Sequence, residues 1–73
     1  MVNSLLSFGK RIAYLRRKKG WSQELLGFNA MISKNYIADL EKGRRNPTLK
    51  ILVKLALAFD IDLETLLKGV DVI

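Results

Sequence analysis

"SQELLGFNAMISKNYIADLEKG", residues 22–43, decides how this chain folds. Ser22 and Ser33 are each placed to cap a helix, and Gly43 stands where a helix would stop. The pattern predicts two short helices, Ser22 to Ala30 and Ser33 to Lys42, with a break between them at Met31-Ile32. Leu26 is the inward residue of the first. In the second, Ile37 and Leu40 sit three apart, as one face of a helix requires. Lys34 and Asn35 then fall on the opposite side, at the leading end. Helices this short are marginal alone, so the flanking sequence has to supply a scaffold.

The flanks read as that scaffold. A first helix is expected from about Ser4 to Lys19, with Leu5, Phe8, Ile12 and Leu15 along one face and Gly20 ending it. "KGRRNP" (42–47) is a loop, in which Pro47 prevents the preceding helix from resuming. Thr48 starts a fourth helix that places Leu49, Leu52, Leu55, Ala56 and Phe59 on one face. Asp60 and Asp62 mark a turn, and Asp62 caps a final helix over 63–69 carrying Leu66 and Leu67. No strand, repeat or linker is read. The expected fold is all-α, five helices in one domain over residues 1–73.

Composition narrows the chemistry. An apolar fraction of 49% indicates a globular chain, and 73 residues give one domain near the size where a single core is marginal. With no cysteine and no histidine there is no disulfide, no thiolate metal site and no imidazole base, and no carboxylate pair marks a catalytic pocket. No catalytic residue, metal or cofactor is therefore expected. Lys50, Lys54 and Asp60 interrupt the most apolar stretch, so no membrane span is expected and the cytoplasm is the expected compartment.

Charge is distributed unevenly. Residues 1–23 hold Lys10, Arg11, Arg16, Arg17, Lys18 and Lys19 and no acid, whereas residues 48–73 hold more acids than bases. An acid-free start with arginines also suits a transit peptide, but its removal would take half the core with it. A basic N-terminal half suits a polyanion, nucleic acid or anionic lipid, and charge alone does not separate these from a solvated surface.

The pair of short helices with its tight turn has the organisation in which one helix lies along a phosphate backbone and the next enters the major groove. "RIAYLRRKKGWSQELL…ISKNYIADLEKGRRNPTLKILVKLALAF" resembles the Cro/cI-type (XRE) helix-turn-helix repressors over roughly residues 8–67. The resemblance rests on Arg16, Gly20, Ser22-Gln23-Glu24, Leu26, Ile32-Ser33, Tyr36-Ile37, Leu40-Glu41, Gly43 and Pro47. It implies a lambda-repressor-like domain with the helix-turn-helix at about 22–42. It also implies a small regulator or repressor on double-stranded operator DNA, with restriction–modification controllers among the kinds it resembles.

Side-chain chemistry gives roles to the residues. Lys34, Asn35, Ala38 and Asp39 are expected on the outward side of the second short helix. Lys can reach guanine, Asn can bond adenine through both amide groups, and Asp can accept from cytosine. A local pair with Lys42 is the other reading of Asp39. Gln23 opens the first short helix, where its amide and the free N–H groups can meet a phosphate. Ser33, Tyr36 and Lys42 are further phosphate candidates. By resemblance, Arg44, Arg45 and Asn46 touch sugar-phosphate, and Arg16 pairs with Glu41 as an exposed ion pair that orients the guanidinium over the backbone.

The sequence departs from the family pattern at Met31, where Gly is usual because a left-handed residue stands there. Gly27 replaces a common Ala and suits close packing. Leu25, Phe28 and Leu57 occupy usually polar positions, either as core fringe or as a partner surface. Recognition of a palindromic operator calls for a homodimer, for which Leu63, Leu67, Val70, Val72 and Ile73 are the expected contacts. No small-molecule effector is expected. The competing reading is a protein–protein module of the same fold, an antitoxin or partner-binding subunit, which the surplus apolar residues favour and the basic half disfavours.

Overall fold

The computed structural model describes residues 3–71. Five helices follow one another: α1 (Ser4–Lys18), α2 (Gln23–Ala30), α3 (Lys34–Glu41), α4 (Leu49–Phe59) and α5 (Leu63–Leu66). Each starts at a side chain that accepts the amide three residues on: Asn3 to Leu6, Ser22 to Leu25, Ser33 to Tyr36, Thr48 to Ile51 and Asp62 to Thr65. Capping therefore fixes every helix start, as these short polar residues do best. Asn3 adds a cap that the pattern of α1 had not revealed.

Phe8, Ile12, Leu26, Ala30, Ile37, Leu40, Leu55, Ala56, Phe59 and Leu66 form one buried cluster to which all five helices contribute. Trp21, in the bend after α1, stacks on Phe59 with ring centroids 5.6 Å apart. Gly9 is required where α1 meets the end of α3, because a Cβ there would run into the backbone carbonyls of Leu40 and Glu41.

Two expectations change. The last helix is one short turn, not 63–69: Leu67 caps it, Gly69 turns at positive φ, and the Asp71 amide donates to Ser7 Oγ, tying the chain back to α1. Leu49 does not join the inward face of α4 but lies 66% exposed at its start.

A candidate nucleic-acid interface

The turn between α2 and α3 sets where the leading end of α3 points. Met31 closes α2 in the left-handed region, at φ 58° and ψ 45°. The Ile32 amide then donates to the Gly27 carbonyl at 2.9 Å. A Cβ on Gly27 would lie 2.5 Å from the Ile32 carbonyl oxygen, so the missing side chain is what lets the turn close. The usual turn glycine is absent, the strain of the left-handed residue stays in place, and a glycine one turn earlier provides the space.

The leading end of α3 is open. Lys34 and Asn35 are exposed, and among the described residues neither side chain has a hydrogen-bond or ion-pair partner. Ile37 and Leu40 hold the helix from behind in the core. Ser33 is exposed too, but its Oγ already accepts the Tyr36 amide at 3.1 Å.

One turn further along, the side chains engage one another. Asp39 pairs with Arg45, Nη2 to Oδ2 at 3.4 Å, rather than with Lys42. The same guanidinium lies 5.0 Å from the centre of the Tyr36 ring. Arg45 is thereby drawn from the loop onto the face of α3. The loop leaves the helix through Gly43, at φ 74°, with the Arg44 amide donating to the Asp39 carbonyl. Arg44 and Asn46 are exposed beside it.

A second group lies between α1 and α3. Arg16 donates through Nε and Nη2 to both oxygens of Glu41, at 2.7 and 3.1 Å, and through Nη1 to the Trp21 carbonyl at 2.8 Å. Gln23 Nε2 adds a bond to Glu41 Oε1 at 3.1 Å. The paired side chains are only 11% and 7% exposed, so this is not the surface pair that the resemblance implied. The bond to Glu41 raises the Arg16 pKa from its ordinary value, against the opposing effect of burial. Three of the five guanidinium N–H groups are used within the protein. Arg16 therefore acts first as a strut that joins α1, the start of α2 and the end of α3.

Above this strut, Lys10, Ala13, Arg17, Gln23, Ala38, Glu41 and Lys42 line a cleft of about 310 Å³. Ala38 belongs to this cleft wall and is half-buried, further from the open face than Lys34 and Asn35. Lys10 and Arg17 were not singled out in the sequence. Their separation of seven residues, two helical turns, is the signal that places them on one face of α1 with Ala13 between. Arg11 and Lys18 lie about 100° round the helix. Arg11 instead donates to the carbonyls of Thr65 and Leu66 at the end of α5. The basic N-terminal half is thus split between two faces.

Of the expected dimer residues, Leu63 and Val70 pack largely against the core of their own chain, and Leu67 is 39% exposed. Val72 and Ile73 lie outside the described residues. Among the described residues no helix is long and apolar enough to cross a membrane.

Two short capped helices joined by a tight turn, the second with an unpartnered polar leading end and braced beside a basic cleft, form a helix-turn-helix. The helix-turn-helix family pattern HTH_3 matches residues 12–66, and the chain belongs to that family. It is 35% identical over 69 residues to the control protein C.BamHI of Bacillus amyloliquefaciens, covering 92% of this chain and 85% of that protein. With the transcriptional regulator DdrOP3 of Deinococcus deserti it shares 39% identity over 62 residues, which span 85% of this chain but only 48% of that protein. The crystal structure of the restriction-modification controller protein C.AhdI from Aeromonas hydrophila superposes with a TM-score of 0.82 at 42% identity, covering 85% of this chain and 94% of that one. The chain is a sequence-specific DNA-binding transcription regulator of the XRE type.

Proposed function

We propose that the chain acts in the cytoplasm as a homodimeric repressor of a palindromic operator, inserting the leading end of α3 into the major groove of each half-site. Lys34 and Asn35 read bases there. Asp39 does so only together with Arg45, because the two share a contact. Lys10, Arg17, Gln23, Lys42, Arg44 and Asn46 face phosphates on either side, with Ser33, Tyr36 and the remaining N–H groups of Arg16 as lesser contacts. The observation that carries this reading is the exposed pair Lys34 and Asn35, free of contacts to other side chains among the described residues, on a helix whose other side is locked in the core. The similarity to C.BamHI and C.AhdI supports a controller role for this chain too.

The test compares Asn35→Ala with Arg44→Ala, each titrated against a selected operator and a scrambled duplex at two salt concentrations. Asn35→Ala should weaken operator binding by about 1–3 kcal/mol and leave scrambled DNA little changed. Arg44→Ala, which removes the cation from both copies, should weaken both duplexes alike and flatten the salt dependence by about two units of log–log slope. Equal loss on both duplexes with Asn35→Ala would remove α3 as the reader.

A further inference from the structure

A second cleft, of about 770 Å³, opens between the latter part of α1 and the α4–α5 turn, and it shares no lining residue with the cleft above the strut. Its volume is within the range of small-ligand sites. Part of the lining is apolar: Leu15 and Ile61 are half-buried and Phe59 belongs to the core. Tyr14 lines it as well, with its ring side chain 53% exposed.

Four cations border the same space, Arg11, Lys18, Lys19 and Lys68, against one carboxylate, Asp60. The three lysines and Asp60 are exposed, and none has an ion-pair partner among the described residues. Arg11 is fixed by its bonds to the Leu66 and Thr65 carbonyls, at 3.3 and 2.7 Å, which use two of its five N–H groups. Arg11 and Lys18 also flank Tyr14, with their charged ends 5.7 and 5.8 Å from the centre of its ring. Like charges gathered without partners repel one another, and low-dielectric walls concentrate their field on the space between them.

We propose that this cleft binds a free nucleoside phosphate, its base against Tyr14 and the apolar lining and its phosphates among Lys18, Lys19 and Lys68. Each feature of the cleft then has a use. A purely inorganic anion gains nothing from the apolar lining, and an apolar molecule gains nothing from the cations. Three separate ammonium groups suit a chain of phosphate oxygens better than a single carboxylate. A base stacks on an exposed aromatic ring whatever its identity, and Tyr14 is such a ring. Asp60, the one acid of the cleft, is free to accept from a sugar hydroxyl. The inference stands apart from the operator reading, because the residues it uses are not those assigned to DNA.

The test titrates the full chain with ATP, adenosine and tripolyphosphate at fixed ionic strength without divalent cations, followed by two-dimensional amide NMR. ATP should bind with a dissociation constant on the order of 0.1 mM and shift the amides of Arg11, Tyr14, Lys18, Asp60 and Thr65. Adenosine and tripolyphosphate, each lacking one half of the ligand, should bind at least about tenfold more weakly. Tyr14→Ala and Lys18→Ala/Lys68→Ala, all at exposed positions, should each weaken ATP by about tenfold. Tyr14→Phe keeps the ring and should stay within about twofold of wild type. The lysine double variant should also leave the salt slope of operator binding unchanged.

Tripolyphosphate binding as tightly as ATP would overturn the proposal, since charge alone would then suffice. So would adenosine matching ATP, or ATP affinity that the lysine double variant leaves intact. Shifts confined to the surroundings of Lys10, Arg17 and Lys34 would do the same, by placing the anion on the DNA face. Absence of ATP binding at about 5 mM would remove the site altogether.

Discussion

Met31 gives the sharpest test of how the reading helix is aimed. It holds φ 58° and ψ 45° with a side chain 82% exposed, so it pays for the left-handed region with almost no intramolecular burial in return. A left-handed residue with a Cβ costs about 1–2 kcal/mol. Replacing it by Gly removes that strain but adds roughly 0.5–1 kcal/mol of chain entropy to be lost on folding. The difference leaves Met31→Gly more stable than Met31→Ala by about 0.5–1 kcal/mol. Comparison with Ala is the essential control, since both variants lose the same side chain and any contact it makes with a second copy.

For a domain of this size the gap corresponds to a Tm difference of about 2–8 °C. Thermal unfolding followed by circular dichroism, at a fixed low protein concentration, reads it directly. Asp60 sits at φ 58° and ψ 46° and is an internal replicate, where Gly should gain less because Asp tolerates this region better. If Met31→Gly melts at or below Met31→Ala, the left-handed strain at the turn does not exist in solution.

Other outcomes follow from the strut, the cleft above it and the cap of α5. Glu41→Gln removes the charge facing Arg16 while keeping one acceptor oxygen, and should cost about 2–3 kcal/mol, lowering Tm by at least about 8 °C in calorimetry. With Lys10, Arg17, Lys42 and Arg44 on phosphates in each chain, about eight cationic contacts per dimer, the log–log slope of affinity against salt should be about −7. Lys10→Ala and Arg17→Ala, which remove a cation from both copies, should each flatten it by about two units, whereas Lys18→Ala, on the other face of α1, should leave it unchanged. Asp62 is held below the usual carboxylate range by its bonds with the Thr65 hydroxyl and amide. A depressed pKa stabilises above the unfolded value and is lost as pH falls through the folded one. Hydrogen exchange at the Thr65 amide should therefore stay slow until the pH drops below about 4, and Asp62→Asn should abolish that dependence.

The five helices were legible because their starts are carried by single residues, Ser22, Ser33, Thr48 and Asp62, and their inward faces by simple periodicity. Such signals are local. What was not legible depends on relations between helices. The length of α5 is set by where Gly69 and Ser7 hold the returning chain, and nothing within 63–69 announces that. The burial of Arg16 and Glu41 depends on Trp21 and Gln23 closing around them, so an ion pair expected at the surface became an internal strut. Arg45 was read as a loop cation because its partners, Asp39 and Tyr36, come from the helix before the loop. Lys10 and Arg17 were hidden among six cations that only the facing of α1 sorts into two groups.

The contrast along α3 between free and engaged side chains bears on how such a regulator diverges. Lys34 and Asn35 hold nothing else in place, so on the proposed reading a change at either would redirect the protein to another operator in a single step without disturbing the fold. Asp39 shares an ion pair with Arg45, whose guanidinium also lies over Tyr36, so a change in one alters the surroundings of the others. Specificity should therefore drift freely at the bases met by the first turn of α3. At those met by the second it should move only through paired substitutions, so the two halves of one short helix would evolve at different rates.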